Sequence, residues 1–469
     1  MPELPEVETV VRNLRPILIG STIDVMTFRY SKMIHPSPSI FEQKLKGQTF
    51  TNIERIGKFI IFFFSNQSVV VTHLRMEGKF IELKNPHDSL TRFAHLIFHL
   101  KDGRRLVYDD MRKFGTFTLA TAKTYLDLPS LKKLGKEPLT SLDPHPILAK
   151  INASRRPIKS ILLDQSILLG LGNIYADEVL YAANIHPLKK GTQLSLEETK
   201  SILLHSEKIL KAAIASGGSR IRSYRSGSPI DGEFTLKIQA YGREGQPCHR
   251  CHHRLDKITV GGRGTHYCPR CQHHPDLPFV IGVTGTIATG KSTLVSVGSS
   301  LGFHTIDADQ IVHRVYQTQK AISLIKRLFP FVVIDKKINR RQLLKAMIDQ
   351  PKGYQKLIQW LFPLVKSIIF HELMKTKSKA VIVEVPLLFQ GNLDAYCDVI
   401  IGVDMEASIQ KRRLQQRVGD LAEPLWILNE RNHYHDFQSF LDIRLNNDGN
   451  LTTWQRQAKQ VLTPFLKYL

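Results

Sequence analysis

The sequence has 469 residues, of which 42% are hydrophobic and 23% charged, and 65 Lys+Arg against 42 Asp+Glu give a formal net charge of +23. That length suits about three or four globular domains, and the composition excludes a low-complexity or intrinsically disordered chain. No uninterrupted apolar run of spanning length is visible, and the start Met1-Pro2-Glu3-Leu4-Pro5-Glu6-Val7-Glu8 is acidic and proline-punctuated. Neither a transmembrane helix nor a secretory leader is therefore expected, and the chain reads as cytoplasmic.

In chain order, Glu6–Ile19 has the pattern of a helix that ends at Gly20. Up to residue 125 the signals are those of a β-rich domain: apolar runs such as 59–64 and 68–71, and turn signals such as Lys101-Asp102-Gly103. Residues 126–235 change character, with helical spacing of apolar residues over Pro157–Leu169 and Ser195–Ala215. A cysteine-bearing segment (236–272) and a short linker (273–278) follow. At Phe279 a strand, a glycine-rich loop and a helix begin a separate domain, 279–469. The basic excess is +14 over residues 1–278 and +9 over 279–469, which favours a polyanionic partner through counterion release.

Four of the five cysteines form two Cys-x2-Cys knuckles, Cys248/Cys251 and Cys268/Cys271, and Cys397 stands apart. This spacing is wrong for a disulfide framework and suits a four-thiolate structural zinc site in a reducing compartment. Between the knuckles, Arg263 follows Gly261-Gly262, a placement suited to a DNA groove or a phosphate.

At the other end of this half, Pro2 becomes a secondary amine if Met1 is removed. Such an amine titrates far below lysine and is partly neutral near pH 7, so it can act as a nucleophile. Glu3 beside it suits proton transfer.

The segment Gly285-Thr286-Ile287-Ala288-Thr289-Gly290-Lys291-Ser292-Thr293 follows an apolar strand and precedes a helix. Such a loop cradles phosphates with its backbone N–H groups, with Lys291 on the terminal phosphates and Ser292 on Mg²⁺, implying ATP. Thr305-Ile306-Asp307-Ala308-Asp309 reads as the end of a second strand, where carboxylates can face the phosphates. Glu384-Val385-Pro386-Leu387-Leu388 closes a third, and Arg413 and Arg417 share a helix face that suits a phosphoryl clamp.

The order Met1–Thr9, Arg55-Ile56-Gly57-Lys58, His73–Gly78, Asp110–Gly115, Leu134–Leu139, Gly172–Ala176 and the cysteine knuckles resembles the formamidopyrimidine-DNA glycosylase family over about residues 1–272. The P-loop, Asp309, the Glu384–Phe389 segment, Arg413/Arg417 and Asn447-Asp448-Gly449 resemble dephospho-coenzyme A kinase over about 279–469.

The resemblance implies a multidomain fold: a β-sandwich (1–125), a helical two-turn-helix domain (126–235), a zinc ribbon, and an α/β P-loop kinase domain with a parallel sheet. It implies a glycosylase/lyase that removes oxidised purines from damaged double-stranded DNA. Pro2 would be the Schiff-base nucleophile, Glu3 the proton carrier, Lys58 a participant in β-elimination and Arg263 in δ-elimination. Met76, Arg112 and Phe114 would fill the gap left by a flipped base. His95, Arg155, Lys159, Asn173 and Tyr241 would contact DNA, while Glu6 and Glu178 suit helix-capping or buried structural roles as well as catalytic ones. In the second half, Asp309 would take the proton from the 3′-hydroxyl of dephospho-coenzyme A, and Lys291 and Arg417 would stabilise the γ-phosphoryl group. A monomer is expected.

The chain departs from both family patterns. Arg75 and Glu77 stand where glycine and serine are usual, Met111 replaces a proline, Lys113 an arginine, and Phe93 takes a DNA-contact place. Residues 220–230, in the expected lesion-recognition loop, diverge. In the second half Glu384 replaces Asp, Phe362 replaces His, Gln390 an acid, and Trp426–Arg431 lacks an Arg and a Gln. The alternative is an active glycosylase carrying a degenerate, non-catalytic P-loop module.

Overall fold

The computed structural model describes all residues except 1, 86, 219–237, 336, 432 and 433, so the divergent loop segment 220–230 lies outside the described residues. It contains two compact units, one made of Met1–His249 and Arg254–Cys268, the other of Pro269–Leu469 with Arg250–His253.

The first helix is Leu4–Leu18, and it starts two residues earlier than the sequence pattern predicts. The Glu3 backbone N–H donates to Glu6 Oε2 at 2.8 Å, so Glu6 satisfies an N-terminal donor that the helix itself leaves open. Val7, Val11, Leu14 and Leu18 recur at helical spacing and are buried.

Two sheets follow. One has five strands, in the order Ile34–His35, Thr116–Thr121, Ser68–His73, Phe59–Phe64, Phe50–Ile56. The other has four, in the order Ile23–Phe28, Ala94–Leu100, Arg105–Asp109, Lys79–Leu83. Phe62, Val70 and Phe117 from the first sheet share one core with Met26, Phe98 and Leu106 from the second and with the helix residues. This is the expected β-sandwich, and each buried large side chain contributes about 1.5–3 kcal/mol of apolar transfer.

The helical region contains Pro144–Asn152, Ile158–Leu162, Asn173–Ala182 and Leu196–Ala215. The stretch expected to be helical over 157–169 ends at Leu162, because Asp164 captures the Ser166 N–H and hydroxyl at 3.2 and 2.7 Å and turns the chain. The last helix begins at a reciprocal box in which Ser195 and Glu198 bond each other's backbone N–H at 3.1 and 3.0 Å. Asp256–Val260 and Arg263–Tyr267 then pair as an antiparallel hairpin. Its two-residue turn, Gly261-Gly262, has φ of +56° and +74°, values that glycine adopts without strain.

The second unit is built on a five-stranded parallel sheet, ordered His304–Asp307, Ala380–Glu384, Phe279–Gly285, Val399–Asp404, Ile443–Asn446. Its central strands read as unbroken apolar runs, as expected when both faces are covered. Ile281, Ile382 and Ile401 pack with Leu294 and Trp454 on one face; Val280, Val381 and Ile400 pack with Leu361, Val365 and Ile369 on the other.

The helix Pro351–Lys375 is long and apolar enough to cross a membrane by length and composition only, a test that the core helix of a soluble protein also passes. Interspersed lysines and other polar residues hide it from a search for uninterrupted runs. In the fold its stripe Leu357, Leu361, Val365, Ile369 and Leu373 is buried at helical spacing.

His73, at the end of its strand, accepts the Arg75 N–H on Nδ1 at 2.9 Å and is buried. Burial, followed by the charges of Arg75 and Lys58, lowers its pKa from 6.5 to about 3. The folded chain thus refuses a proton that the unfolded chain accepts. The associated stability is complete above pH 6.5 and is lost progressively as the pH falls from there towards 3. In urea titrations, His73→Gln is expected to show a shallower loss of stability than the parent on going from pH 7 to 5, the difference reaching about 2 kcal/mol.

Candidate active sites

The first site forms where the N-terminal segment meets the start of the helix Asn173–Ala182. Pro2 is buried just before the first helix. The Glu3 carboxylate accepts from Gly172 N at 2.6 Å, Ile174 N at 2.9 Å and Tyr175 N at 3.4 Å. It therefore sits at a helix N-terminus, where free N–H groups and the helix dipole favour an anion. A β-carbon on Gly172 would collide with this carboxylate, so glycine there serves close approach. Glu6, whose role the sequence leaves open, is structural: it bonds Glu3 N at one oxygen and accepts Tyr175 Oη at 2.7 Å at the other.

Lys58 is buried and donates to Leu171 O at 2.6 Å. Its turn is fixed by Arg55, which forms a bidentate pair with Glu137 at 2.6 and 2.8 Å and reaches Glu8 at 2.8 Å, while Gly57 N also donates to Glu137 at 2.6 Å. Burial raises the Glu3 pKa, against an opposing effect from Lys58, and burial lowers that of Lys58. Both shifts favour the neutral forms, as suits groups that exchange protons.

Arg263 is exposed on the first residue after the Gly261-Gly262 turn, and its charge is felt at Lys58 and Lys159. Asn173 Nδ2 donates to Gly264 O at 3.0 Å, tying that hairpin to the Glu3-bearing helix start. The sequence reading thus separated residues that the fold brings together: Glu3, Lys58, Asn173 and the Arg263 hairpin.

Two expected DNA contacts need correction. Lys159 is fully buried, bonded to Asn173 O at 3.0 Å and paired with Asp177, so its ammonium braces the helix start and presents nothing to solvent. His95 is also buried, with Nε2 2.9 Å from Asp110 O, beneath the loop that carries Arg112. Arg155 is exposed, and Tyr241 is half-buried with its ring 5.0 Å from His266. Met76 and Phe114 are 40% and 51% exposed, unusual for large apolar side chains, and Arg112 links them. Its Nη1 lies 2.9 Å from Met76 Sδ and its guanidinium 4.9 Å from the Phe114 ring centre. Glu178, also left open by the sequence, accepts the N–H groups of Gln239, Ala240 and Tyr241, each at 2.8 Å.

The Sγ atoms of Cys248, Cys251, Cys268 and Cys271 lie within 4.8 Å of one another. Tetrahedral zinc with Zn–S bonds of about 2.3 Å requires sulfurs about 3.8 Å apart, so the set fits one structural zinc ion.

The second site is the P-loop. Gly285, Ala288 and Gly290 have φ of +144°, +62° and +99°, the left-handed turns that bring successive N–H groups round to one point. The loop is held from behind. Asn447 Nδ2 donates to Thr289 O at 2.8 Å, Trp454 Nε1 to Gly290 O at 3.1 Å, Gln410 Nε2 to Thr286 Oγ1 at 2.9 Å, and Ile287 N to Asn429 Oδ1 at 3.1 Å. Sequence reading missed Gln410, Asn429 and Trp454, since no motif spacing links them to the loop.

Lys291 Nζ donates to Thr286 O at 2.6 Å, and Ser292 Oγ donates to Glu384 Oε1 at 2.9 Å. The Ser292–Glu384 pair is the oxygen donor set that Mg²⁺ takes. Asp309 does not end a strand as expected. It lies in the first turn of the helix Ala308–Tyr316, where Asp307 Oδ1 accepts its N–H at 2.8 Å.

A cavity of about 490 Å³ joins Lys291, Ser292, Asp309 and Arg417 to an apolar end that includes Phe362 and Leu344. A second, of about 390 Å³, lies between the P-loop, Arg417, Asn447 and Trp454. Of the two expected clamp arginines, Arg417 lines both cavities, whereas Arg413 also bonds the carbonyls of Asn447 and Gly449 at 3.3 and 2.6 Å. Desolvation and the Asp307 charge raise the Asp309 pKa; desolvation raises that of Glu384 and lowers that of Lys291.

Purified protein is expected to carry about one zinc per chain. Chelation should release the Arg263 hairpin, seen as faster proteolysis between Cys248 and Cys271, and added zinc should restore protection. Metal analysis and limited proteolysis before and after chelation check this.

Comparison with known proteins finds a family model in each half of the chain. Residues 1–117 match the formamidopyrimidine-DNA glycosylase N-terminal domain, 134–225 its H2TH domain, 245–273 the zinc finger found in FPG and IleRS, and 279–452 dephospho-CoA kinase. The formamidopyrimidine-DNA glycosylase of Exiguobacterium sibiricum is 45% identical over 275 residues, which is 58% of this chain and 99% of the relative. A mutant of the Lactococcus lactis FPG in complex with a Fapy-dG containing DNA superposes with a TM-score of 0.56 at 38% identity, covering 58% of this chain and all of the other. MutM in complex with carbocyclic 8-oxo-G containing DNA gives 0.55 at 37% over the same shares. The chain belongs to the formamidopyrimidine-DNA glycosylase family and carries a dephospho-CoA kinase domain fused behind the glycosylase.

Proposed function

We propose that the first half removes 8-oxoguanine and formamidopyrimidines from double-stranded DNA and then cleaves the strand, with the Pro2 amine as nucleophile. The observation that carries this reading is the Glu3 carboxylate clamped on the helix start next to Pro2, with Lys58 buried beside it. Once Met1 is removed, Pro2 N attacks C1′ of the damaged nucleotide. The bond from C1′ to the base breaks, and the base leaves with a proton. The C1′–O4′ bond then opens, O4′ taking a proton, and the iminium so formed makes the C2′ proton acidic; its removal expels the 3′-phosphate, and loss of the C4′ proton in a second elimination expels the 5′-phosphate. Glu3, whose pKa is raised by burial, serves as the proton carrier at the sugar ring and C2′. Lys58 and Arg263 neutralise the departing phosphates. Met76, Arg112 and Phe114 occupy the space left in the duplex.

Borohydride reduction should trap the full-length protein covalently on 8-oxoguanine duplex. Pro2→Gly should lower trapping and base release by about a hundredfold or more, while a duplex binding shift persists. Undiminished trapping by Pro2→Gly would exclude the assigned nucleophile.

We further propose that the second half transfers the γ-phosphoryl group of ATP to the 3′-hydroxyl of dephospho-coenzyme A. This favours a bifunctional enzyme over a degenerate module, because the P-loop, the Ser292–Glu384 pair, Asp309 and Arg417 converge on one cavity. Asp309 takes the hydroxyl proton, the oxygen attacks the γ-phosphorus, and ADP leaves, with Lys291 and Arg417 countering the charge that develops. Ser292 and Glu384 would hold Mg²⁺, which would supply positive charge against that developing on the phosphates. The form proposed for both activities is a cytoplasmic monomer.

ATP-dependent phosphorylation of dephospho-coenzyme A should be lost in Lys291→Ala. The base works only when deprotonated and its pKa is raised. The rate should therefore fall on the acid side, at a pH above the ordinary carboxylate range. Asp309→Asn should remove that acid limb together with most of the rate.

A further inference from the structure

Asp110 has a buried carboxylate that no step of the reaction uses. Its Oδ1 accepts Arg112 N at 3.0 Å, and its Oδ2 accepts Phe114 N and Gly115 N, each at 2.9 Å. Its backbone is equally committed: N donates to Phe93 O at 3.0 Å, and O accepts Lys113 N at 3.2 Å and lies 2.9 Å from His95 Nε2. One side chain thus fixes the N–H groups of both residues that probe the duplex from this loop. Tyr108, fully buried in the preceding strand, donates its hydroxyl to the same Oδ2 at 3.3 Å.

That hydroxyl is also the meeting point of two loops. A β-carbon at Gly115, in the Arg112/Phe114 loop, would collide with it, and so would one at Gly78, in the Met76 loop. Both glycines have ordinary φ, so close approach to the phenol accounts for them. At the tips the same loops meet again, through the 2.9 Å contact between Arg112 Nη1 and Met76 Sδ.

We propose that Tyr108 and Asp110 are positioning residues for lesion recognition: they lock the Met76 loop and the Arg112/Phe114 loop to one strand end, so that the three probing side chains enter the duplex in register. This rests on the glycosylase reading above. Binding to the phosphate backbone, which lies outside the lock, does not depend on it. Unstacking beside the lesion and reading of the orphaned base both do.

The test uses full-length protein on duplexes with 8-oxoguanine opposite cytosine or adenine, and with 2-aminopurine next to the lesion to report unstacking. The variants are Asp110→Asn, which puts an amide N–H₂ donor in place of an acceptor oxygen facing N–H donors, and Tyr108→Phe, which removes one hydroxyl. Val107→Ala, in the same strand but in a separate core cluster with Ala94 and Ile97, controls for loss of stability. Asp110→Asn should slow single-turnover excision about tenfold or more and flatten the preference for cytosine over adenine. It should also abolish the 2-aminopurine rise while duplex affinity changes less than about threefold. Tyr108→Phe should show the same pattern, more weakly. The proposal fails if both variants keep the parent's opposite-base preference and fluorescence response, or if Val107→Ala reproduces the change. A parent protein that excises nothing would instead overturn the glycosylase reading.

Discussion

The glycosylase half depends on one contact that spans 169 residues of sequence, the Glu3 carboxylate on the Gly172 N–H. A carboxylate taken out of water is costly unless each oxygen is bonded, and only a helix start offers several aligned donors to one anion. The chain supplies such a start at Asn173–Ala182 and removes the β-carbon at Gly172 to let the carboxylate in. The contact fixes Pro2 at the edge of the helical region. It also sets the position from which Lys58, held by Leu171 O and the Arg55–Glu137 pair, faces the same pocket.

The kinase domain uses the same physics with the opposite outcome. Its helix Lys291–Ser300 also begins in a glycine-rich turn with N–H groups converging on one point. In the first unit a side chain of the protein fills the anion site; in the second, Asn447, Trp454, Gln410 and Asn429 hold the loop by its outer atoms, which leaves its inner donors for phosphate. A filled site gives a fixed proton carrier, and an open one gives a ligand cradle.

What the sequence made legible follows from how local each feature is. The cysteine knuckles, the P-loop and the Ser195 helix start are written in spacings of a few residues, and the strands 59–64 and 68–73 in apolar runs. Lys159 and His95 were misplaced because a basic residue in a DNA-binding motif reads as a phosphate contact. Whether its charge faces out or inward depends on a partner such as Asp177, 18 residues away, or on a carbonyl such as that of Asp110. The helix over 157–169 was overestimated because apolar periodicity does not register the Asp164 turn. Asp110 was seen only as a motif letter; its three backbone bonds exist only once the loop closes.

The departures from the family patterns become intelligible as a set. Arg75 and Lys113 adopt φ of +56° and +59°, a conformation that costs a side-chain-bearing residue about 1 kcal/mol or more and that glycine takes freely. Each is held there by a bond from its own N–H, to His73 Nδ1 for Arg75 and to Asp110 O for Lys113. Both are exposed on the loops that carry Met76, Arg112 and Phe114. Lys113 keeps the charge of the arginine it replaces, whereas Arg75 adds a cation beside the probing side chains; accepting strain for it makes sense on a surface that meets phosphates, where an added cation strengthens binding and steepens its salt dependence. Glu384 in place of Asp follows a similar logic: the added methylene still brings Oε1 to 2.9 Å from Ser292 Oγ, so the oxygen pair that a Mg²⁺ ion needs survives the exchange. In both halves the substitutions change reach and charge around the sites while leaving the reacting groups in place.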